Sequence, residues 1–128
     1  MRRLALLPAA AAVALGVAAT PAPAASPPLL SVTPNRVHLG DTVVIKGSQW
    51  PVIEFCRRRV RLRLESDQNA MLIGFVRVRD NGRFKRNFTP TASTVGPGRW
   101  RVVARLRCES GDDGSPVFVR RSKQVHVF

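Results

Sequence analysis

From residue 29 onward the chain is written in alternation. At 42–46, Val43 and Ile45 share one parity, between the turn pairs Gly40-Asp41 and Gly47-Ser48. At 55–65, Val60, Leu62 and Leu64 point one way and Arg59, Arg61 and Arg63 the other. At 71–79, Val76 and Val78 oppose Arg77 and Arg79, and at 83–89 Phe84 and Phe88 share a side. At 99–109, Trp100, Val102, Ala104, Leu106 and Cys108 alternate with Arg99, Arg101, Arg105 and Arg107. Period 2 between turn signals predicts half-buried β-strands, and no segment repeats at helical period. With an opening strand at 29–33, ended by Pro34-Asn35, and a closing one at 117–128, seven strands are predicted. Asp80-Asn81-Gly82 predicts a hairpin turn, because such turns need positive φ. Gly96-Pro97-Gly98 predicts another turn, and 109–115 a polar, glycine-rich loop. Seven short strands without a helix predict an all-β, immunoglobulin-like Greek-key sandwich, with a small Greek-key barrel as the alternative.

The first 24 residues follow a different grammar. Met1-Arg2-Arg3 is a positive start, residues 4–19 are apolar and uncharged, and Ala22-Pro23-Ala24 offers a small-x-small cleavage site. That order predicts a secretory signal peptide over 1–24. The apolar run is short against the roughly 20 residues a stable membrane span requires. A Pro-rich linker at 25–29 and one domain over 30–128 complete the expected organisation. The processed chain is expected outside the cell or on its wall, and not as an integral membrane protein.

Export bears on the two cysteines. In an oxidising compartment Cys56 and Cys108 are expected to form one disulfide rather than remain two free thiols. Cys56 opens the third predicted strand and Cys108 ends the sixth. Those strands are neighbours in one sheet of a seven-stranded sandwich, so the bridge would tie adjacent strands.

Several pieces in series resemble a known family: Ser31-Val-Thr-Pro34, the run Leu39 to Gly47, Gln49-Trp50-Pro51, Asp80-Asn-Gly-Arg-Phe84 and Pro97-Gly98-Arg-Trp100. Their order resembles the exported immunoglobulin-like domains common in actinobacteria, over about residues 30 to 108. The opening also resembles the neocarzinostatin-type apoproteins, exported carriers of an apolar chromophore. Those have two short-range disulfides where this chain has one long-range pair. The resemblance implies a fold and leaves activity open, since the fold hosts many.

Candidate catalytic groups are sparse. His38 and His126 are the only imidazoles, and no Gly-x-Ser-x-Gly elbow is present. The acids lie mostly at turns, including Asp41, Asp67, Asp80, Asp112 and Asp113. No ligand spacing joins the histidines to the cysteines, and Asp112-Asp113 falls short of the oxygen count calcium needs. The chain is expected to be non-enzymatic, without metal or cofactor.

Charge then changes the picture. The 128 residues hold 21 basic and eight acidic side chains. Removing Arg2 and Arg3 leaves 19 basic residues against the same eight acids, a net charge of +11. Strict alternation gathers Arg59, Arg61 and Arg63, then Arg77 and Arg79, then Arg99, Arg101, Arg105 and Arg107 each onto one strand face. If those strands are neighbours, their outer faces merge into one basic plate. Arginine binds phosphate or carboxylate through a planar fork, and like charges facing one another disfavour a sheet. These nine arginines are the candidate anion-binding residues, and an anionic cell-envelope polymer such as a wall polymer is the expected partner. Sequence-specific nucleic-acid reading is not expected: there is no Tyr, and only Trp50 and Trp100 could stack on bases. A lipid surface would require an exposed apolar rim. Two alternatives stand beside this one. One is a carrier with an apolar cleft near Trp50 and Phe55. The other is an interaction or inhibitor domain acting through loops such as that from Ser110 to Pro116.

Overall fold

The computed structural model describes residues 27–110 and 112–128. The expected signal peptide and the first residues of the linker lie outside the described residues. Eight strands follow in order: β1 (Leu29–Thr33), β2 (Arg36–Val37), β3 (Val43–Ser48), β4 (Cys56–Glu65), β5 (Ala70–Arg77), β6 (Phe84–Phe88), β7 (Gly98–Glu109) and β8 (Pro116–Val127). They form a three-stranded sheet, β1-β3-β6, and a five-stranded sheet, β2-β8-β7-β4-β5. This is an immunoglobulin-like sandwich. Its fourth, seventh and eighth strands lie side by side in the order β4-β7-β8, as the C, F and G strands do in that fold, and β1 and β3 share the opposite sheet with β6.

The eighth strand is the addition to the expected seven. After Pro34-Asn35 the chain leaves the first sheet, and Arg36 and Val37 pair in parallel with His126 and Val127 of β8. Two residues carry no alternation, so the pattern alone could not show them. The turn at Asp80-Asn81-Gly82 is also corrected. The chain does reverse there, with Arg79 N–H donating to Arg83 C=O at 2.8 Å. However, it joins β5 in one sheet to β6 in the other, a corner between layers rather than a hairpin. Gly82 is required at this corner: its φ is +78°, and a Cβ there would press on the backbone of Trp50.

The core forms where the inner parities meet. Val60, Leu62, Leu64, Val102, Ala104 and Leu106 are buried from the larger sheet, and Leu30, Val43, Ile45 and Phe84 from the smaller. Both tryptophans are buried with the indole N–H satisfied, Trp50 by Leu29 C=O at 3.0 Å and Trp100 by Gly96 C=O at 2.9 Å. Cys56 and Cys108 stand directly opposite in the β4–β7 register and form a disulfide across neighbouring strands. Such a bridge fits an oxidising, extracellular compartment.

Two bulges shape the larger sheet. Between the pairs Cys56–Cys108 and Val60–Leu106, three residues of β4 face one of β7, so Arg57, Arg58 and Arg59 bow out of the ladder. On β5 the register slips beside Leu62 and Arg63, at Ile73, next to Gly74, whose φ is +147°. Arg86 of β6 reaches this slip and donates to Ile73 C=O at 3.3 Å and Phe75 C=O at 3.2 Å. A side chain at 74 would strike that guanidinium.

Candidate anion-binding face

The outer face of the five-stranded sheet can be read row by row from the register. One row crosses four strands as Phe75, Arg61, Arg105 and Arg120. The next runs Leu72, Arg63, Val103 and Ser122, and the one beyond it Ala70, Glu65, Arg101 and Gln124. Arg59 stands opposite Arg77 on β5, and Arg107 opposite Phe118 on β8. Three pairs therefore set like charges face to face: Arg59 with Arg77, Arg61 with Arg105, and Arg105 with Arg120. Each costs the isolated domain on the order of a few tenths of a kcal/mol.

Eight of the nine candidate arginines lie on this face or at its margin. Arg59, Arg61, Arg63, Arg77, Arg101, Arg105 and Arg107 are grouped on it. Arg99 shares their parity but stands at the far end, opposite His126 and beside the Ser66–Asn69 turn. Arg79 is the exception. β5 ends at Arg77, Val78 is fully buried, and the corner that follows carries Arg79 to a concavity on the three-stranded sheet. The sequence reading also missed members of the group. Arg57 and Arg58 join it because the β4 bulge breaks the parity that would have excluded one of them, and Arg120 joins from β8. No alternation marks residues 117–124, where exposed positions fall on both faces, so Arg120 gave no signal.

Two hollows on this face differ in their electrostatics. The larger, about 450 Å3, is bordered by seven arginines (57, 58, 59, 61, 77, 105 and 107) and by Phe75 and Phe118. The phenylalanines act as props. Arg59 lies over the Phe75 ring at 4.9 Å and Arg105 over Phe118 at 4.3 Å, so each ring supports a guanidinium by a cation–π contact. Among the described residues only Arg58 of these seven has a carboxylate within 4.0 Å, at Asp80. Arg58 also donates to Val78 C=O at 3.1 Å, and the Asp80 carboxyl is held below its usual pKa by the hydrogen bond and charge of Arg58. The Arg61 guanidinium is pushed below the ordinary arginine value, by burial first and by Arg105 and Arg63 next. The Nε atoms of Arg61 and Arg107 are shielded and have no hydrogen-bond partner among the described residues.

The smaller hollow, about 320 Å3, holds Glu65 among Arg61, Arg63, Arg105 and Arg120. Glu65 lies 3.9 Å from Arg63 and 3.8 Å from Arg120, and Asp67 lies 3.9 Å from Arg101. This end of the face is partly neutralised, whereas at the other only Arg58 has a carboxylate partner among the described residues.

An apolar fringe borders the uncompensated end. Ile53, Phe55 and Val117 are each about half exposed. Phe55 C=O accepts from Glu109 N–H, and Val117 stands opposite Cys108, so Phe55 and Val117 flank the disulfide. The sequence pattern did not reveal this fringe, because Ile53 and Phe55 fall in an irregular stretch. His38 and His126 both pack against Phe128, at 5.3 and 4.6 Å. Asp113 accepts from Ser115 N–H at 2.9 Å, which lowers its pKa and commits its oxygen to the loop itself.

No family model matches the chain, and no curated protein is similar to it. Among solved structures it is similar to a murine CRIg structure, with 12% identity and a TM-score of 0.44 over 80% of this chain and 99% of that one.

Proposed function

We propose that this chain is an exported, non-enzymatic immunoglobulin-like domain that binds an anionic cell-envelope polymer across the outer face of its five-stranded sheet. One observation carries the reading. Arginines from β4, β5 and β7 converge on one hollow where, among the described residues, six of the seven have no carboxylate partner. Their mutual repulsion disfavours the free domain, and a bound polyanion would relieve it. Same-face residues along a strand are about 6.5–7 Å apart. The Arg59, Arg61 and Arg63 row of β4 therefore presents cations at intervals along an extended line. That suits a chain of repeated anions better than a single group. The export half of the reading rests on the signal-peptide pattern of residues 1–24 and fits the disulfide.

The test is co-sedimentation with purified bacterial cell wall across a salt series. Tight binding at low salt, weakening steeply as salt rises, supports the reading. No binding at low salt overturns it. Vesicles of anionic lipid serve as a parallel arm. Tighter binding to vesicles than to wall, lost when Phe55 and Ile53 are replaced by Ser, would transfer the face to a lipid surface and overturn the polymer.

A further inference from the structure

The three-stranded sheet carries a second concavity, of about 620 Å3, where the start of β1, the end of β3 and the start of β6 meet. Five cations border it: Lys46, Lys85, Lys123, Arg79 and Arg83. No carboxylate lines it, and among the described residues none of the five has an acidic partner within 4.0 Å. The chain contains 18 arginines but only three lysines, and all three are here. They arrive from β3, β6 and β8, at positions far apart in sequence and drawn from both sheets. A general preference for arginine explains a basic surface. It does not explain why the rare cation is collected in one hollow.

Lysine and arginine do different work. The arginine fork suits planar, bidentate recognition along a surface, whereas the ammonium is a compact charge on a flexible stem with three donors. Three such groups around a hollow can adjust to one small anion from several directions. Lys46 and Lys85 also stand directly opposite in the β3–β6 register, an arrangement that disfavours the sheet until an anion lies between them.

The floor of the hollow is apolar. Leu30 and Phe84 are buried beneath it, and Leu29 leaves half of its surface open to it. The Phe84 ring lies over Gly47 and meets Trp50 edge-on at 5.5 Å, so the floor is stiff. A concave, partly apolar site of this size with a few convergent polar groups is the usual form of a small-molecule pocket. The geometry points to a site for a small amphipathic anion, its alkyl or aryl body against the exposed Leu29 and its phosphate or carboxylate head held by Lys46, Lys85 and Lys123. The site shares no residue with the two hollows of the arginine face, so either can fail without the other.

The probe is decyl phosphate below its micelle concentration, titrated into the disulfide-bonded protein while tryptophan emission is followed; Trp50 reports through its hydrogen bond to Leu29 C=O. Saturable binding at least tenfold tighter than that of inorganic phosphate or of decanol is expected, because head and tail are both needed. Decanoate in place of decyl phosphate identifies the preferred head, and tighter binding of either amphiphile supports the site. The lysines supply a readout that needs no variant. Acetylation followed by peptide mass spectrometry should show Lys46, Lys85 and Lys123 protected at least threefold by bound decyl phosphate. The variant K46Q/K85Q/K123Q should bind at least tenfold more weakly, while R59Q/R61Q/R105Q/R107Q should stay within twofold of the parent. Amphiphiles binding no tighter than decanol or inorganic phosphate, absent protection, or a lysine variant of undiminished affinity would each overturn the proposal.

Discussion

Along β4 the outer parity carries an arginine at 59, 61 and 63, yet the two ends of the sheet face differ. Around Arg59 and Arg61 the neighbours across the ladder are Arg77, Phe75 and Arg105. Around Arg63 and Glu65 they are Leu72, Val103, Ala70 and Arg101, with Arg120 within reach of Glu65. One end is an arginine cluster propped on aromatic rings. The other is a set of loose, partly exposed ion pairs of the kind worth at most about 1 kcal/mol each. Parity decides which side of a sheet a charge occupies. What it meets there is decided by register, and register is set by bulges and pairing that one strand's sequence does not contain.

The contrast can be broken first at the disulfide, which anchors the uncompensated end. With 52 residues separating its cysteines, C56A/C108A should lose about 4 kcal/mol of stability by the chain-entropy estimate, measured by urea unfolding. Hydrogen exchange should rise at Arg57 and Arg107 before it rises at Arg63 and Arg101. Neutralising the two ends separately comes next. R59Q/R61Q/R105Q/R107Q should weaken wall binding on the order of a hundredfold at low salt and flatten its salt dependence, whereas R63Q/R101Q/R120Q should cost only about threefold, since those charges are already partnered. Equal losses would mean that the ends are not distinct. Removing the carboxylate should make them alike: E65Q should raise wall affinity by about twofold to fivefold, because it frees Arg63 and Arg120.

The smallest effect concerns pH. The folded pKa of Asp80 is depressed, so its contribution to stability is fully present above the unfolded value of about 3.9 and is lost as pH falls through the lower folded value. D80N should remove that acid-limb loss, giving a slightly less stable domain at neutral pH and a flatter stability profile below about pH 4. Thermal melts of the two proteins across that window measure it. A steeper acid limb in D80N would contradict the Arg58–Asp80 pairing.

The legible part of this molecule is what alternation encodes. The inner and outer parities of β4 and β7 were readable because Val60, Leu62 and Leu64, and Trp100 through Cys108, keep strict period. Adjacency of the two cysteines followed from the fold those strands imply. What stayed hidden lies where period fails. β2 is two residues long, the corner at Asp80 to Gly82 changes sheets, and Arg79 leaves the face because Val78 is drawn into the core. Arg57 and Arg58 enter through a bulge, a local slip that depends on the partner strand rather than on the residues that slip. The lysine hollow was invisible for a different reason: its cations are isolated in sequence and only the sandwich brings them together.

The slip on β5 has a consequence of its own. A sheet's outermost strand normally invites another molecule's backbone to continue the ladder. Here Gly74 twists that border and the Arg86 side chain occupies the carbonyls of Ile73 and Phe75, so a visiting strand would find its docking atoms taken. The domain is thus blocked at that stretch of β5 against zipping into filaments through it.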